Sequence, residues 1–305
     1  MRSDRKGLQN KIKGIVDFLV TPFDVKDWRR LDEEGLRSNT KFLNDAGVNV
    51  LVPCGGMGEI SQLTLEEHRR TIEIVVDENK GKALVFPAVG LGTKRAIELA
   101  SFAERVGAEG ILVFIPPWIP YSDEGAYRYI ESVARSVQVG VMIMKSPDSN
   151  LSIEVINKLV RTCSNVVAVK FEPGGDEIGI LNDMIRKADG DVAWVVNTHH
   201  DGQLAPHFHM AGADAFMDAI PNFAPRFDLE MYSALVSRDY KKASDIQWRL
   251  ARVARLMKLM GGVTLVKEAM NLVGLHGGSF RPPMLPATNS QKEQIEQALH
   301  ELKLM

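Results

Sequence analysis

Val166-Val167-Ala168-Val169-Lys170-Phe171-Glu172 begins with four small or β-branched apolar residues, shows no polar face, and then meets a lysine. Such a run marks a parallel strand covered on both sides. An ammonium at the rim of an apolar layer loses hydration, which disfavours its charged form and lowers its pKa. A neutral amine held there can attack a carbonyl and form a Schiff base. The plainer alternative makes Lys170 the first solvated residue after a buried strand.

Working outward, similar short runs lie at Ile15–Val20, Val48–Val52, Ala83–Ala88, Gly110–Ile115, Val139–Met144, Val192–Val196 and Ala213–Asp218. Amphipathic stretches separate them: Asp32–Ala46, Thr64–Asn79, Thr93–Val106, Ser122–Val137, Ser152–Cys163, Glu177–Ala188, Asp201–Ala211 and Asn222–Ser237. Thr64 with Glu67 reads as a capping box, Ser152 as an N-cap, and Gly47, Gly107 and Gly212 as helix ends. Strand–helix units in unbroken alternation imply a parallel sheet, and eight of them close a barrel of about 250 residues. The expected architecture is a (β/α)8 TIM barrel over residues 1–237 with a C-terminal helical extension over 238–305. An open doubly wound sheet is the competing fold. It calls for a Gly-x-Gly-x-x-Gly turn after the first strand, where this chain has Thr21-Pro22-Phe23-Asp24.

Composition narrows the function. Apolar residues make up 45% and charged residues 25% of the 305, and the net charge is −2. Without a basic block, neither nucleic acid nor an anionic membrane is an expected partner. No stretch reaches the roughly 20 apolar residues of a membrane span, and the polar start lacks a signal core. The expectation is a soluble cytoplasmic protein. Cys54 and Cys163 are too few and too isolated for a disulfide framework or a metal knuckle.

In a barrel the chemistry sits where strands run into helices. Asp17, inside the first apolar run, is either a buried acid–base group or a hydrogen-bonded structural one. Gly55-Gly56-Met57-Gly58 follows the second run; its amides can turn inward as a nest for a carboxylate, or simply form a tight turn. Pro116-Pro117-Trp118-Ile119-Pro120-Tyr121 either walls a pocket or packs on the rim or at a subunit contact. Lys145 is a second amine whose charge can depress Lys170, or a solvated lysine. His199 and His200 titrate near neutrality and can move protons. Neither they nor His207 and His209 match a zinc signature, and no metal is expected. Asp218 closes the last strand as a further carboxylate.

Taken in order, these residues resemble the dihydrodipicolinate synthase/N-acetylneuraminate lyase family of Schiff-base lyases across nearly the whole chain. Gly14 through Thr21-Pro22-Phe23 is similar to its opening strand. Gly55-Gly56-Met57-Gly58-Glu59, with Leu63-Thr64 and Glu66-Glu67-His68, is similar to its Gly-Thr-Thr-Gly-Glu signature. Val169-Lys170 resembles its Schiff-base strand, and Val266-Lys267 with Arg281-Pro282-Pro283-Met284 its C-terminal pattern. Gly90-Leu91-Gly92-Thr93 with Ala96-Ile97-Glu98, Gly107 to Leu112, and Asn222-Phe223-Ala224-Pro225-Arg226 look closest to its 5-dehydro-4-deoxyglucarate dehydratase branch.

The resemblance implies that Lys170 attacks the carbonyl of a 2-oxo acid, pyruvate or one derived from a sugar acid. It implies aldol-type cleavage or condensation, or dehydration of a 2-keto-3-deoxy sugar acid, with no cofactor. Gly55, Gly56, Met57, Gly58, Met144 and Asp218 would line the substrate site, and a dimer or tetramer is the implied assembly. The chain also departs from the pattern. The signature threonines fall at Gly56 and Met57, the catalytic tyrosine at Met144, and the carboxylate-binding arginine near Ser149. A thioether cannot shuttle a proton. Proton transfer is therefore expected of His199 or His200, ahead of Lys145, Asp17 and Asp218. The alternatives are a dihydrodipicolinate synthase-like condensation of pyruvate with an aldehyde, and a protein that binds its 2-oxo acid without turning it over.

Overall fold

The computed structural model describes residues 5–116, 120–147, 149, 151–172, 177–188, 192–198, 200 and 202–305. Among the described residues, nine short strands are all parallel: β1 (Gly14–Phe18), β2 (Val50–Val52), β3 (Leu84–Val85), β4 (Ala88–Val89), β5 (Gly110–Val113), β6 (Gly140–Lys145), β7 (Val166–Phe171), β8 (Ala193–Asn197) and β9 (Ala215–Asp218). Their order is β3-β2-β1-β9-β8-β7-β6-β5-β4. The two ends of that order are halves of one chain stretch. Phe86 donates to Leu51 O on one side, and Leu112 donates to Pro87 O on the other. Pro87 has no N–H to give, so the run expected as one strand divides into two. Counted as one, it closes a ring of eight.

Helices fill the crossovers: α2 (Glu33–Ala46), α3 (Leu65–Asn79), α4 (Thr93–Val106), α5 (Asp123–Ala134), α6 (Ile153–Thr162), α7 (Glu177–Lys187), α8 (Ala205–Ala211) and α9 (Pro225–Val236). The chemistry read for their ends is present. Thr64 and Glu67 close a reciprocal box at α3, Ser152 accepts from Val155 N at α6, and Gly47, Gly107 and Gly212 stop α2, α4 and α8 in the left-handed region. Three more helices come after the ring, α10 (Tyr240–Met260), α11 (Gly262–Leu272) and α12 (Asn289–Glu301). One element was not expected, the N-terminal helix α1 (Arg5–Lys11). Leu8 from it, with Ile12 just after it, joins the apolar cluster inside the ring and so closes the lower end.

Strand parity decides which side chains face inward. The interior cluster holds Val16, Val50, Phe86, Leu112, Met142, Met144, Ala168, Val195 and Met217. Lys170 is two residues beyond Ala168 and lies in register with Met144 on β6 and Val195 on β8. It therefore points into the barrel at its carboxyl-terminal end.

Candidate active site

Lys170 is fully buried, and its Nζ donates to Glu172 Oε2 at 2.9 Å. Glu172 is two residues on, so the two side chains leave the strand on the same side. The Phe18 ring stands 5.6 Å from the ammonium. Burial pulls the Lys170 pKa below its ordinary value, while Glu172 and Asp218 pull against it. Beside the amine lies a cavity of about 350 Å³, whose walls are formed by neighbours of Lys170 rather than by Lys170 itself. Phe18, Met144 and Glu172, all neighbours of Lys170, are among its walls, together with Gly56 and Met57 from the glycine loop and Asn197, His200 and Asp218 from the ends of β8 and β9. The extension contributes as well: Ala254, Met257 and Lys258 of α10 line the far side.

The glycine loop is held between two residues in the left-handed region, Cys54 (φ 60°) and Glu59 (φ 54°). Thr21 Oγ1 pins it by donating to Gly58 O at 2.9 Å. A Cβ at Gly55 would stand 2.5 Å from the Phe18 ring, and one at Gly58 would stand 2.7 Å from Cys54 N. Those two glycines permit close packing. A Cβ at Gly56 would meet nothing within 4 Å. Gly56 and Met57 thus face the cavity, with Gly55 and Gly58 behind them.

His200 is 1% exposed. Its Nε2 lies 3.0 Å from Asp228 Oδ1 and 3.2 Å from Asp218 Oδ2. Asp218 also accepts from the Thr198 hydroxyl and from the amides of Ala219 and Ile220. Burial raises the Asp218 pKa, but the His200 ring and these donors outweigh it and hold the group down to about 2. Burial pushes Asp228 up, and Asp17 well up with help from the neighbouring Asp218 and Asp228 charges. One oxygen of each, Oδ2, is buried without a hydrogen-bond partner, so nothing offsets its loss of hydration. Asp17 Oδ1 accepts from Asn222 Nδ2 at 2.9 Å, the structural option open in the sequence.

His200, Asp218 and Asp228 bring three donor atoms within 4.8 Å of one another, a separation that suits a cation. The next layer argues otherwise. Gln247 on α10 accepts from Ala205 N through Oε1, so its Nε2 must donate, to Thr198 O and to His200 Nδ1. A histidine bound to metal through Nε2 presents Nδ1–H to an acceptor; here a donor faces that nitrogen. Nε2 carries a proton between Asp218 and Asp228. The donor set fits a hydrogen-bonded cluster.

The other expected groups separate. Lys145 leaves β6 on the side opposite Met144, and its Nζ donates to the carbonyls of Ser146 and Ser149. It does not reach Lys170, and the pull on Lys170 comes from burial instead. His209 and His207 lie on α8, outside the cavity wall. His199, Asp201 and Trp118 lie outside the described residues. The sequence reading passes over Glu172, although spacing of two from Lys170 on a strand is signal enough. It also passes over Gln247 and Asp228, which no local pattern marks. Lys267 and Arg281, picked out by resemblance alone, are anchors. Lys267 Nζ meets Glu59 Oε1 at 2.6 Å, and Arg281 grips Glu67 at 2.6 Å and the carbonyls of Trp28, Arg29 and Gln62. They tie the C-terminal segment to the glycine loop and α3.

A closed (β/α)8 ring with a desolvated lysine at its carboxyl-terminal mouth is the arrangement of a Schiff-base lyase, an enzyme of the class I aldolase type. Comparison with known proteins gives the same class. The dihydrodipicolinate synthetase family model matches residues 11–302. The 4-hydroxy-tetrahydrodipicolinate synthase of Methanopyrus kandleri is 33% identical over 97% of this chain and 98% of its own. That of Chlorobium phaeobacteroides is 30% identical over 97% and 99%. The crystal structure of dihydrodipicolinate synthase from Oceanobacillus iheyensis superimposes with a TM-score of 0.91 at 26% identity, covering 99% of this chain and all of that one (100%). This chain belongs to the dihydrodipicolinate synthetase family.

Proposed function

We propose that the chain acts on a 4-hydroxy-2-oxo acid, the class that contains the 2-keto-3-deoxy sugar acids, with Lys170 as nucleophile and Glu172 as proton carrier. The observation that carries this reading is the 2.9 Å contact between Lys170 Nζ and a Glu172 carboxylate that itself lines the cavity. Glu172 takes a proton from the ammonium, and the neutral amine adds to C2 of the substrate. Water leaves and an iminium forms. In cleavage, a base removes the C4 hydroxyl proton, the C3–C4 pair flows into the iminium, and an aldehyde departs. The enamine left behind takes a proton at C3, and water releases pyruvate and the free lysine. In dehydration, the base removes a C3 proton and the C4 hydroxyl leaves as water. Glu172 can serve both, because Met144 offers no exchangeable proton.

In this reading the free amides of Gly56 and Met57 receive the substrate carboxylate, with Gly55 and Gly58 setting their direction. His200 has a supporting part: with its Nε2 proton committed to two carboxylates, it steadies the charge of Asp218 at the cavity edge. The extension, residues 238–305, acts as a lid wall for the barrel of residues 1–237. Likeness to relatives named as synthases favours a second reading, condensation of pyruvate with an aldehyde, which is the cleavage run backwards through the same enamine. We further propose a homo-oligomer, dimer or tetramer, in the cytoplasm; sedimentation velocity tests the first and cell fractionation the second. The deciding experiment is reduction with borohydride in the presence of pyruvate. A mass increment confined to the peptide holding Lys170 is expected, and its absence at saturating pyruvate overturns the reading.

A further inference from the structure

Going round the ring, the polar side chains that the strands bring to the cavity are gathered on three adjacent strands, while Lys258 of α10 adds a charged group from outside the ring. Glu172 comes just after β7, Asn197 ends β8, and Asp218 ends β9 with His200 beside it. The other strands bring rings and thioethers: Phe18 from β1, Met57 after β2, Phe114 after β5 and Met144 on β6. Phe18 and Phe114 approach with ring centroids 6.4 Å apart, tilted by 45°. From above, Met257 of α10 adds a third thioether to those of Met57 and Met144. The chain makes room for this surface. Gly262, where α11 begins, would place a Cβ 3.0 Å from Met57 Cε, so a glycine leaves that side chain its space over the cavity.

We propose that the part of the substrate beyond C4 is apolar, an aryl or branched alkyl group, rather than the polyhydroxyl chain of a sugar acid. This rests on the Schiff-base reading of Lys170 and deepens it. A 2-oxo acid anchored at Lys170 has its reacting carbons beside Glu172, and the remainder must pass between the two phenyl rings and the methionines. A hydroxyl pressed there gives up its bond to water and gains no acceptor. An aryl group gains edge or offset contact with the rings. Methionine side chains are unbranched and polarizable, and they mould to irregular apolar shapes, which suits a range of such tails.

Competitive trapping tests this at the iminium itself, whichever bond breaks afterwards. The purified enzyme is given 2-oxo-4-phenylbutanoate and a 2-oxo-3-deoxy polyhydroxy acid, matched in open-chain concentration, and reduced with borohydride. The two adduct masses on the Lys170 peptide are then compared. The aryl adduct is expected to exceed the polyhydroxy adduct by about ten-fold or more, the discrimination that even one methylene gives in an apolar pocket. Met257→Gln is expected to cut that ratio at least about five-fold. A ratio at or below one, with pyruvate alone still giving its adduct, overturns the apolar-tail inference and leaves the Schiff-base reading standing. No adduct with pyruvate removes both.

Discussion

Replacing Glu172 by glutamine should separate two jobs that the carboxylate does at once. Burial lowers the Lys170 pKa, and the Glu172 charge opposes that shift. Without the charge, the amine should become neutral at lower pH. At 2.9 Å and an effective dielectric of about 20, Coulomb's law gives roughly 6 kcal/mol. The Glu172 side chain is 40% exposed, so water screens most of this, leaving about 1.4 kcal/mol, or one pH unit. The rate of pyruvate trapping should rise with pH through the Lys170 titration in both proteins. In Glu172→Gln the midpoint should lie about one pH unit lower. Turnover should move the other way, falling about 10²- to 10⁴-fold with loss of the proton carrier. The assay is borohydride trapping read by intact mass across pH, beside steady-state turnover on the same preparations. A midpoint that stays put or rises, or turnover that survives, would refute the coupling of Lys170 to Glu172.

Three further outcomes are expected. Lys267→Met strands the Glu59 carboxylate, whose partner sits at 2.6 Å with both side chains buried, and should cost about 3–5 kcal/mol in urea unfolding; adding Glu59→Gln should recover much of it, and an additive double mutant would count against the pairing. Gly55→Ala drives a methyl to 2.5 Å from the Phe18 ring and should cost about 1–3 kcal/mol, whereas Gly56→Ala meets open space and should stay within about 0.5 kcal/mol; equal losses would contradict the packing assigned to the loop. Burial holds the His68 pKa down at about 4, against a bond to Ala88 O that favours the charged ring. Its folded value lies below the unfolded one, so stability is complete above pH 6.5 and falls as pH drops towards 4, by about 3 kcal/mol in all. His68→Gln should flatten that limb of the unfolding profile, and an unchanged slope would show that other groups cause it.

The ring was legible because its period is local. Apolar runs such as Val166–Val169 and caps such as Thr64 with Glu67 depend on neighbours in the sequence, and each fell where expected. Pro87 broke one run in hydrogen bonding without moving the chain out of the ring. At the site, Lys170 was legible for the same reason, an amine at the end of an apolar strand. The His200 cluster was not. Asp228 comes from α9 and Gln247 from α10, so only folding brings them to the ring. Of the two readings open for Lys145, the last residue of β6, only the register could remove the one that set it beside Lys170, since its side of the sheet is unknown until then. The Gly55–Gly58 motif mixed two purposes, close packing and an open cavity face, and only distances to a virtual Cβ separate them.

Two buried lysines, the proposed nucleophile Lys170 and the anchor Lys267, differ in what surrounds them. Burial lowers the pKa of both Lys170 and Lys267, so desolvation alone cannot tell them apart. Lys267 is enclosed by several groups that partly offset its burial. A Glu59 oxygen at 2.6 Å, the Ser279 carbonyl at 2.9 Å, and the rings of Phe23 and Phe280 at 4.4 and 5.4 Å all favour its charge. Among the described residues the hydrogen-bond partner of Lys170 is a single carboxylate, one that water still reaches. Its pairing is therefore weaker at equal depth, and the partner that holds its proton can also carry that proton away. In the proposed reading Lys170 is the reactive one because its counter-charge stands at the cavity wall, where a substrate can replace it. Lys267 has no such exit.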